Sequence, residues 1–317
     1  MRVVVFNRDR RKRKSGTAWV LGGGSARGAA QVGVIQALLE KGIKPASAII
    51  GASVGALDGA VLAGSPNLEG AQLLRQLWLS APAREVFHVH PVSAIVSQLS
   101  GKLGPLSQQP VEKLIAAFES SSGCTTFEDL RLPLRVVATD LDAGRPVVFS
   151  SGPLAPSLLA STAIPGLFPP VRIDGRDYSD GGIVDNVPIA IAVREGYRRI
   201  LAVGLMAGAE LHGRPSSWTE VIARTLQLSL HQRLLSDFER LRTRARIVII
   251  CPITPTDAAW DMNPRHVESV IERSRAATAQ LLARKAPELF EKSAIHYLDL
   301  SDADHSITKT IWLADAL

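Results

Sequence analysis

The stretch from Ala46 to Ser65, ASAIIGASVGALDGAVLAGS, constrains the fold more than any other in the chain. A hydropathy scan would pause there for a membrane span, but Asp58 interrupts the run, Gly and Ser recur in it, and no basic flank closes its far side. The expected structure is therefore a buried strand over 46–50, a sharp turn, and a helix over 54–63. The turn carries G-x-S-x-G at Gly51, Ser53 and Gly55. In that setting the glycines allow a tight turn and close helix packing, which leaves Ser53 exposed where a helix dipole favours a developing anion. Ser53 is thus a candidate nucleophile, the alternative being a serine that only caps the helix.

The same alternation of Val/Ile-rich runs and helix-period segments continues along the chain, the pattern of an α/β domain with a largely parallel, covered sheet. Further strands are expected at 17–21, 134–140, 146–150, 199–205 and 246–251, and further helices at 28–41, 68–79, 109–119, 153–161, 187–195, 217–241 and 264–284. Residues 170–178 alternate around Asp174-Gly175, a hairpin signal, and deliver Asp180-Gly181-Gly182 from the second strand. Asp180 in that setting is a turn residue or a functional carboxylate. Residues 16–317 are expected to form one domain, with a variable insertion at about 80–133 where Ser, Pro, Gly and Gln accumulate.

A second glycine cluster, VLGGGSARGAAQVGV, places Gly22, Gly23, Gly24 and Gly28 between a strand and a helix. The dinucleotide spacing G-x-G-x-x-G fails at Arg27 or at Ser25, and the phosphate-loop pattern fails where Ala29 and Ala30 stand for Lys and Ser/Thr. The remaining functional possibility is a loop of backbone N–H donors for a tetrahedral oxyanion, set against plain strand–helix packing.

The net charge of +6 is localised, because residues 1–15 hold seven basic side chains against Asp9 alone and the rest of the chain is neutral. This basic arm is either a solvated tail or a contact for anionic lipid headgroups or nucleic acid. No aromatic or helical recognition element stands behind it, so nucleic-acid binding is not expected. The short Val3–Phe6 run, followed rather than preceded by basic residues, does not make a signal peptide. Two cysteines, Cys124 and Cys251, do not make a disulfide framework and suit a reducing, cytoplasmic compartment. Nothing in the sequence calls for a metal or cofactor, and nothing in it bears on oligomeric state.

Taken together and in order, GGGSARG at 22–28, GASVG at 51–55, ASTAIPGLFPPV at 160–171 and DGG at 180–182 resemble the patatin-like phospholipase family. The resemblance implies a three-layer α/β/α sandwich with a mainly parallel sheet, and hydrolysis of lipid acyl esters of the phospholipase A or lysophospholipase type by a Ser-Asp dyad. By position it makes Ser53 the nucleophile and Asp180 the base. It also makes the N–H groups of Gly23, Gly24 and Ser25 the oxyanion hole, with Gly22, Arg27, Gly28, Gly51, Gly55, Gly181 and Gly182 as supporting motif. Ser25 departs from the family, whose bacterial members usually have a further Gly, and a positive φ there would strain it by about 1 kcal/mol.

Seven histidines keep a Ser-Asp-His triad open as an alternative, with His296 or His305 in the polar C-terminal stretch as its third member. Phe149, Leu154, Leu158, Leu159, Ile164, Leu167 and Phe168 suit either an acyl-chain wall or ordinary core. The other functional readings are an acyltransferase, a soluble carboxylesterase, and a catalytically idle lipid-binding relative.

Overall fold

The computed structural model describes residues 13–44, 46–87, 104–205, 218–254, 260–285, 289–300 and 308–311. Strands β1 (Ala18–Leu21), β2 (Ala48–Ala52), β3 (Leu134–Asp140), β4 (Arg145–Phe149), β5 (Val171–Ile173), β6 (Arg176–Asp180), β7 (Arg199–Val203), β8 (Arg246–Ile253), β9 (Ala294–Asp299) and β10 (Thr308–Ile311) build one ten-stranded sheet. Its order is β10-β9-β8-β7-β1-β2-β3-β6-β5, with β4 paired to β3 off that path. The run from β9 to β3 is parallel, and the β3–β6, β5–β6, β3–β4 and β9–β10 pairs are antiparallel.

The helices described are α1 (Gly28–Glu40), α2 (Val54–Gly64), α3 (Leu68–Trp78), α4 (Ala81–Glu85), α5 (Gln109–Ser122), α6 (Leu154–Ser161), α7 (Gly182–Asp185), α8 (Ile189–Arg194), α9 (Trp218–Leu241) and α10 (Pro264–Lys285). Alternate residues of β1 enter two separate cores. Trp19 and Leu21 pack with side chains of α1, α2, α3, α5, α6 and α10, whereas Ala18 and Val20 pack with α8 and α9. Helices on both faces of a mostly parallel sheet make a three-layer α/β/α sandwich. Every residue of β1 and β2 is buried, which is why these strands read as continuous apolar runs rather than alternating ones.

The segment that could be scanned as a membrane span is β2, a turn and α2. Among the described residues no helix is long and apolar enough to cross a membrane. The C-terminal stretch corrects the expectation of a polar tail: Ala294–Asp299 is β9, five of whose residues are buried, and Thr308–Ile311 pairs with it as β10. The apolar run AIHYL is short and is flanked by polar residues, and pairing with β8 gives it a place in the core.

Residues 1–12 of the basic arm and 88–103 of the predicted insertion lie outside the described residues. At the arm's base the Lys14 ammonium sits 2.8 Å from Glu195, which also takes Arg135 at 2.6 Å, and lies over the Tyr197 ring at 4.8 Å from its centroid. Lys14 precedes β1 and Ser53 follows β2, and the two strands are parallel. Lys14 therefore lies at the end of the strands opposite to Ser53. Both cysteines are free and buried.

Candidate active site

Strand β3 brings the two ends of the site together. On one of its edges β2 pairs as far as Ala52↔Val137, and β6 pairs from the other direction with Asp180↔Ala138. Strand β4 runs along residues 136–140 of β3 and fills the opposite edge, so β2 and β6 must meet head-on along the same one. Ser53 follows β2 at the point where β6 ends on Asp180.

The two side chains join there. Ser53 Oγ donates to Asp180 Oδ2 at 2.6 Å, and both residues are buried. Asp180 Oδ1 accepts the Gly182 N–H at 2.7 Å. Its backbone is held at both ends, the N–H donating to Ala163 O at 3.0 Å and the carbonyl accepting the Thr139 hydroxyl at 2.7 Å. Burial pushes the Asp180 carboxyl up to about 6, against the opposing hydrogen bonds from Ser53 and Gly182. A desolvated carboxylate is a stronger base than a solvated one, which suits the Asp180 side chain to accept a hydroxyl proton.

Ser53 itself has φ 54° and ψ −132°, a conformation an L-residue adopts only when its surroundings impose it. The imposition comes from close packing of α2 on the strands. A Cβ on Gly51 would stand 2.2 Å from Gly55 O, and one on Gly55 would stand 2.2 Å from Leu21 O. The Ser53 N–H donates at 2.9 Å to Ser161 Oγ, whose own hydroxyl donates to Val137 O at 2.6 Å, so β3 and α6 also fix the turn.

The glycine loop is arranged differently from its expected role at one position. Gly22 and Gly23 spend their N–H groups on Val203 O (3.0 Å) and Asn186 O (3.1 Å). Of the three N–H groups expected to form an oxyanion hole, that of Gly23 is thus already committed to Asn186 O. The N–H groups of Gly24, Ser25 and Val54 take no partner among the described residues, and Ser25 and Val54 line the cavity beside Ser53. Ser25 has φ 55°, a left-handed conformation that strains an L-residue. Asn186 Nδ2 returns a bond to Gly23 O at 3.2 Å, clamping the loop to the chain just past Asp180.

Arg27 is buried, which lowers its pKa; with the Gln227 amide turned oxygen-inward, its guanidinium meets that oxygen at 2.7 and 3.2 Å. Gly28 packs against Trp78, and Gly181 against Val137, each too closely for a Cβ.

His296 is not drawn into the site. It lies on β9 opposite Ile250, four strand positions from β2 or about 19 Å across the sheet. Burial, with Lys285 adding to it, holds its pKa down at about 4. His305, the other triad candidate, lies outside the described residues. Among the described residues no three His, Cys, Asp or Glu side chains converge as a metal site.

A cavity opens at Ser53 and runs along α2, its wall formed largely by apolar side chains of α2, α3 and α5. Of the apolar residues noted in the sequence, Leu158, Ile164 and Phe168 line it, while Phe149 and Leu154 are fully buried core. Asn186, Ser161, Thr139 and Asp58 were missed as site residues. The only sequence signal for the first three was a polar residue inside an apolar run or four residues past the DGG turn.

A family model described as patatin-like phospholipase matches residues 19–193, which spans Ser53, Asp180 and the glycine loop. An NTE family protein of Mycobacterium tuberculosis is 38% identical over 173 residues, covering 55% of this chain and 44% of that protein. Patatin-like phospholipase domain-containing protein 7 of Rattus norvegicus is 32% identical over 193 residues, 59% of this chain and 13% of that one. The chain thus spans less than half the length of these relatives. Among solved structures, VipD from Legionella pneumophila aligns with a TM-score of 0.45 at 17% identity, covering 86% of this chain and 68% of that one.

Proposed function

The chain belongs to the patatin-like phospholipase family, and on that footing we propose that it is a serine acyl-ester hydrolase of lipids, of the phospholipase A or lysophospholipase type. The observation that carries the proposal is the 2.6 Å hydrogen bond from Ser53 Oγ to Asp180 Oδ2 at the mouth of an apolar cavity.

Ser53 Oγ attacks the ester carbonyl carbon as its proton passes to Asp180 Oδ2. The tetrahedral oxyanion forms beside the uncommitted N–H groups of Gly24, Ser25 and Val54 and the N-terminal end of α2. Collapse expels the alcohol, which takes the proton from Asp180, and leaves an acyl group on Ser53. Asp180 then takes a proton from water, the hydroxide adds to the acyl carbon, and the fatty acid leaves as Ser53 regains its proton. A carboxyl near pKa 6 suits both halves of this cycle, being mostly ionised at neutral pH yet basic enough to share the proton.

In the same proposal the enzyme works in a reducing, cytoplasmic setting, and the arm at residues 2–14 provides peripheral contact with an anionic membrane. Lys14 is already paired with Glu195 and adds little to that contact. Hydrolysis of a panel of phospholipids, lysophospholipids and short-chain esters, beside Ser53→Ala, tests the central claim. Absence of hydrolysis across the panel, with no fluorophosphonate label on folded protein, would sink it.

A further inference from the structure

A buried acid in the cavity wall has no part in the dyad. Asp58 stands on α2 five residues beyond Ser53, in helical register with Val54 and Val61, and all three line the cavity that opens at Ser53. With 1.5 Å of rise per residue, its Cα is about 7.5 Å along the helix axis from Ser53. The side chain is 1% exposed. Oδ1 accepts the Trp78 indole N–H at 3.0 Å, but Oδ2 is buried with no hydrogen-bond partner among the described residues. Leu57, Val61, Leu74 and Phe118 make the nearby wall apolar.

Burial pushes the Asp58 carboxyl up to about 8, with the Trp78 hydrogen bond opposing, so at neutral pH it is mainly the uncharged acid with an O–H to donate. Holding Trp78 needs one acceptor and accounts only for Oδ1. A wall meant for a bare alkyl chain is served better by Val or Leu, since an orphan polar group is destabilising wherever nothing pairs with it. The second oxygen is accounted for if the ligand brings a partner.

We infer that Asp58 is a specificity-determining residue of the acyl subsite and selects acyl chains that carry an oxygen substituent, a hydroxyl or keto group, part-way along their length. The inference rests on Ser53 being the acyl-transfer nucleophile, which fixes where the ester end of the chain lies. An extended chain advances about 1.25 Å per carbon, so one laid along α2 meets Asp58 about six carbons from the ester carbonyl.

The test pairs aryl esters of a medium-chain acid, one unsubstituted and one with a hydroxyl at about carbon 6. The wild-type protein should favour the hydroxylated ester in kcat/KM by about tenfold, the effect of one net hydrogen bond. Asp58→Asn should keep that preference and Asp58→Val should bring the ratio to one or below. In parallel, calorimetric binding of the free hydroxylated and parent fatty acids to Ser53→Ala requires no turnover. Equal kcat/KM for the two esters with equal binding of the two acids overturns the inference and leaves the hydrolase proposal standing, as does a preference that survives in Asp58→Val. Preferential binding of the hydroxylated acid without hydrolysis of any ester supports the subsite and overturns the hydrolase. If Asp58→Val does not fold, the wild-type ratio and the Asp58→Asn variant decide.

Discussion

Ser53 and Asp180, separated by 127 residues, share a 2.6 Å hydrogen bond because β2 and β6 end against consecutive residues of β3. The partners are a strained serine and a buried carboxylate, so each can be removed with a distinct consequence.

Ser53→Ala and Asp180→Asn should each reduce kcat/KM by about 10³-fold or more, as loss of a nucleophile or its base does. Their effects on stability should differ. Asp180→Asn removes a buried negative charge while an amide oxygen can still accept from Ser53 or Gly182, so its Tm at pH 8 should exceed that of wild type by a few degrees. A single His→Ala variant with a loss matching Ser53→Ala would replace the dyad by a triad.

The acid limb of the pH–rate profile should report Asp180. Only the carboxylate accepts the serine proton, and burial raises this acid to about 6. A raised acid pKa means the inactive, protonated form persists to higher pH. Hence kcat/KM should be flat above about pH 7 and fall tenfold per unit below about pH 6. A limb near 4 would mean that the carboxylate is solvated in the working enzyme.

Asn186 positions the glycine loop, its side chain reaching Gly23 O while its carbonyl takes the Gly23 N–H. Asn186→Ala removes the first bond alone, which leaves the loop tethered at one point and misaims the neighbouring N–H donors. The expected result is a fall in kcat of about 10- to 100-fold with little change in KM, a split that steady-state kinetics can measure.

Gly55→Ala places a methyl 2.2 Å from Leu21 O, a backbone atom that cannot move without shifting β1. The substitution should cost about 3 kcal/mol or more, read as a lower urea midpoint or insoluble expression.

Deleting residues 1–12 leaves the Lys14–Glu195 pair intact and removes five of the arm's seven basic residues, Arg13 and Lys14 remaining. Binding to anionic vesicles at low salt should weaken, and its salt dependence should flatten, relative to the full chain. Unchanged vesicle binding would remove the arm from the membrane contact.

Much of this fold was legible because buried parallel strands and their covering helices leave strong local patterns. The elbow is the clearest case: an apolar run, two glycines around a serine and a helix-forming segment allow few other conformations. The glycine loop was legible as a site for backbone donors, but not which donors are free, since Gly23 is committed by Asn186, which lies 163 residues away. Strand β9 was hidden because a short apolar run among polar residues becomes a strand only when β8 is there to pair with it.

By itself the sequence determined most of the elements, their order, the sharp turn at Ser53 and the hairpin that carries Asp180, because short-range sterics and hydrophobic periodicity act within a few residues. Only the tertiary structure decided that Ser53 and Asp180 meet, that Ser161 and Asn186 hold their surroundings, and that Asp58 lies in the cavity wall. Those relationships come from strand register on β3 and from burial, and both are properties of the assembled sheet, not of any local stretch of chain.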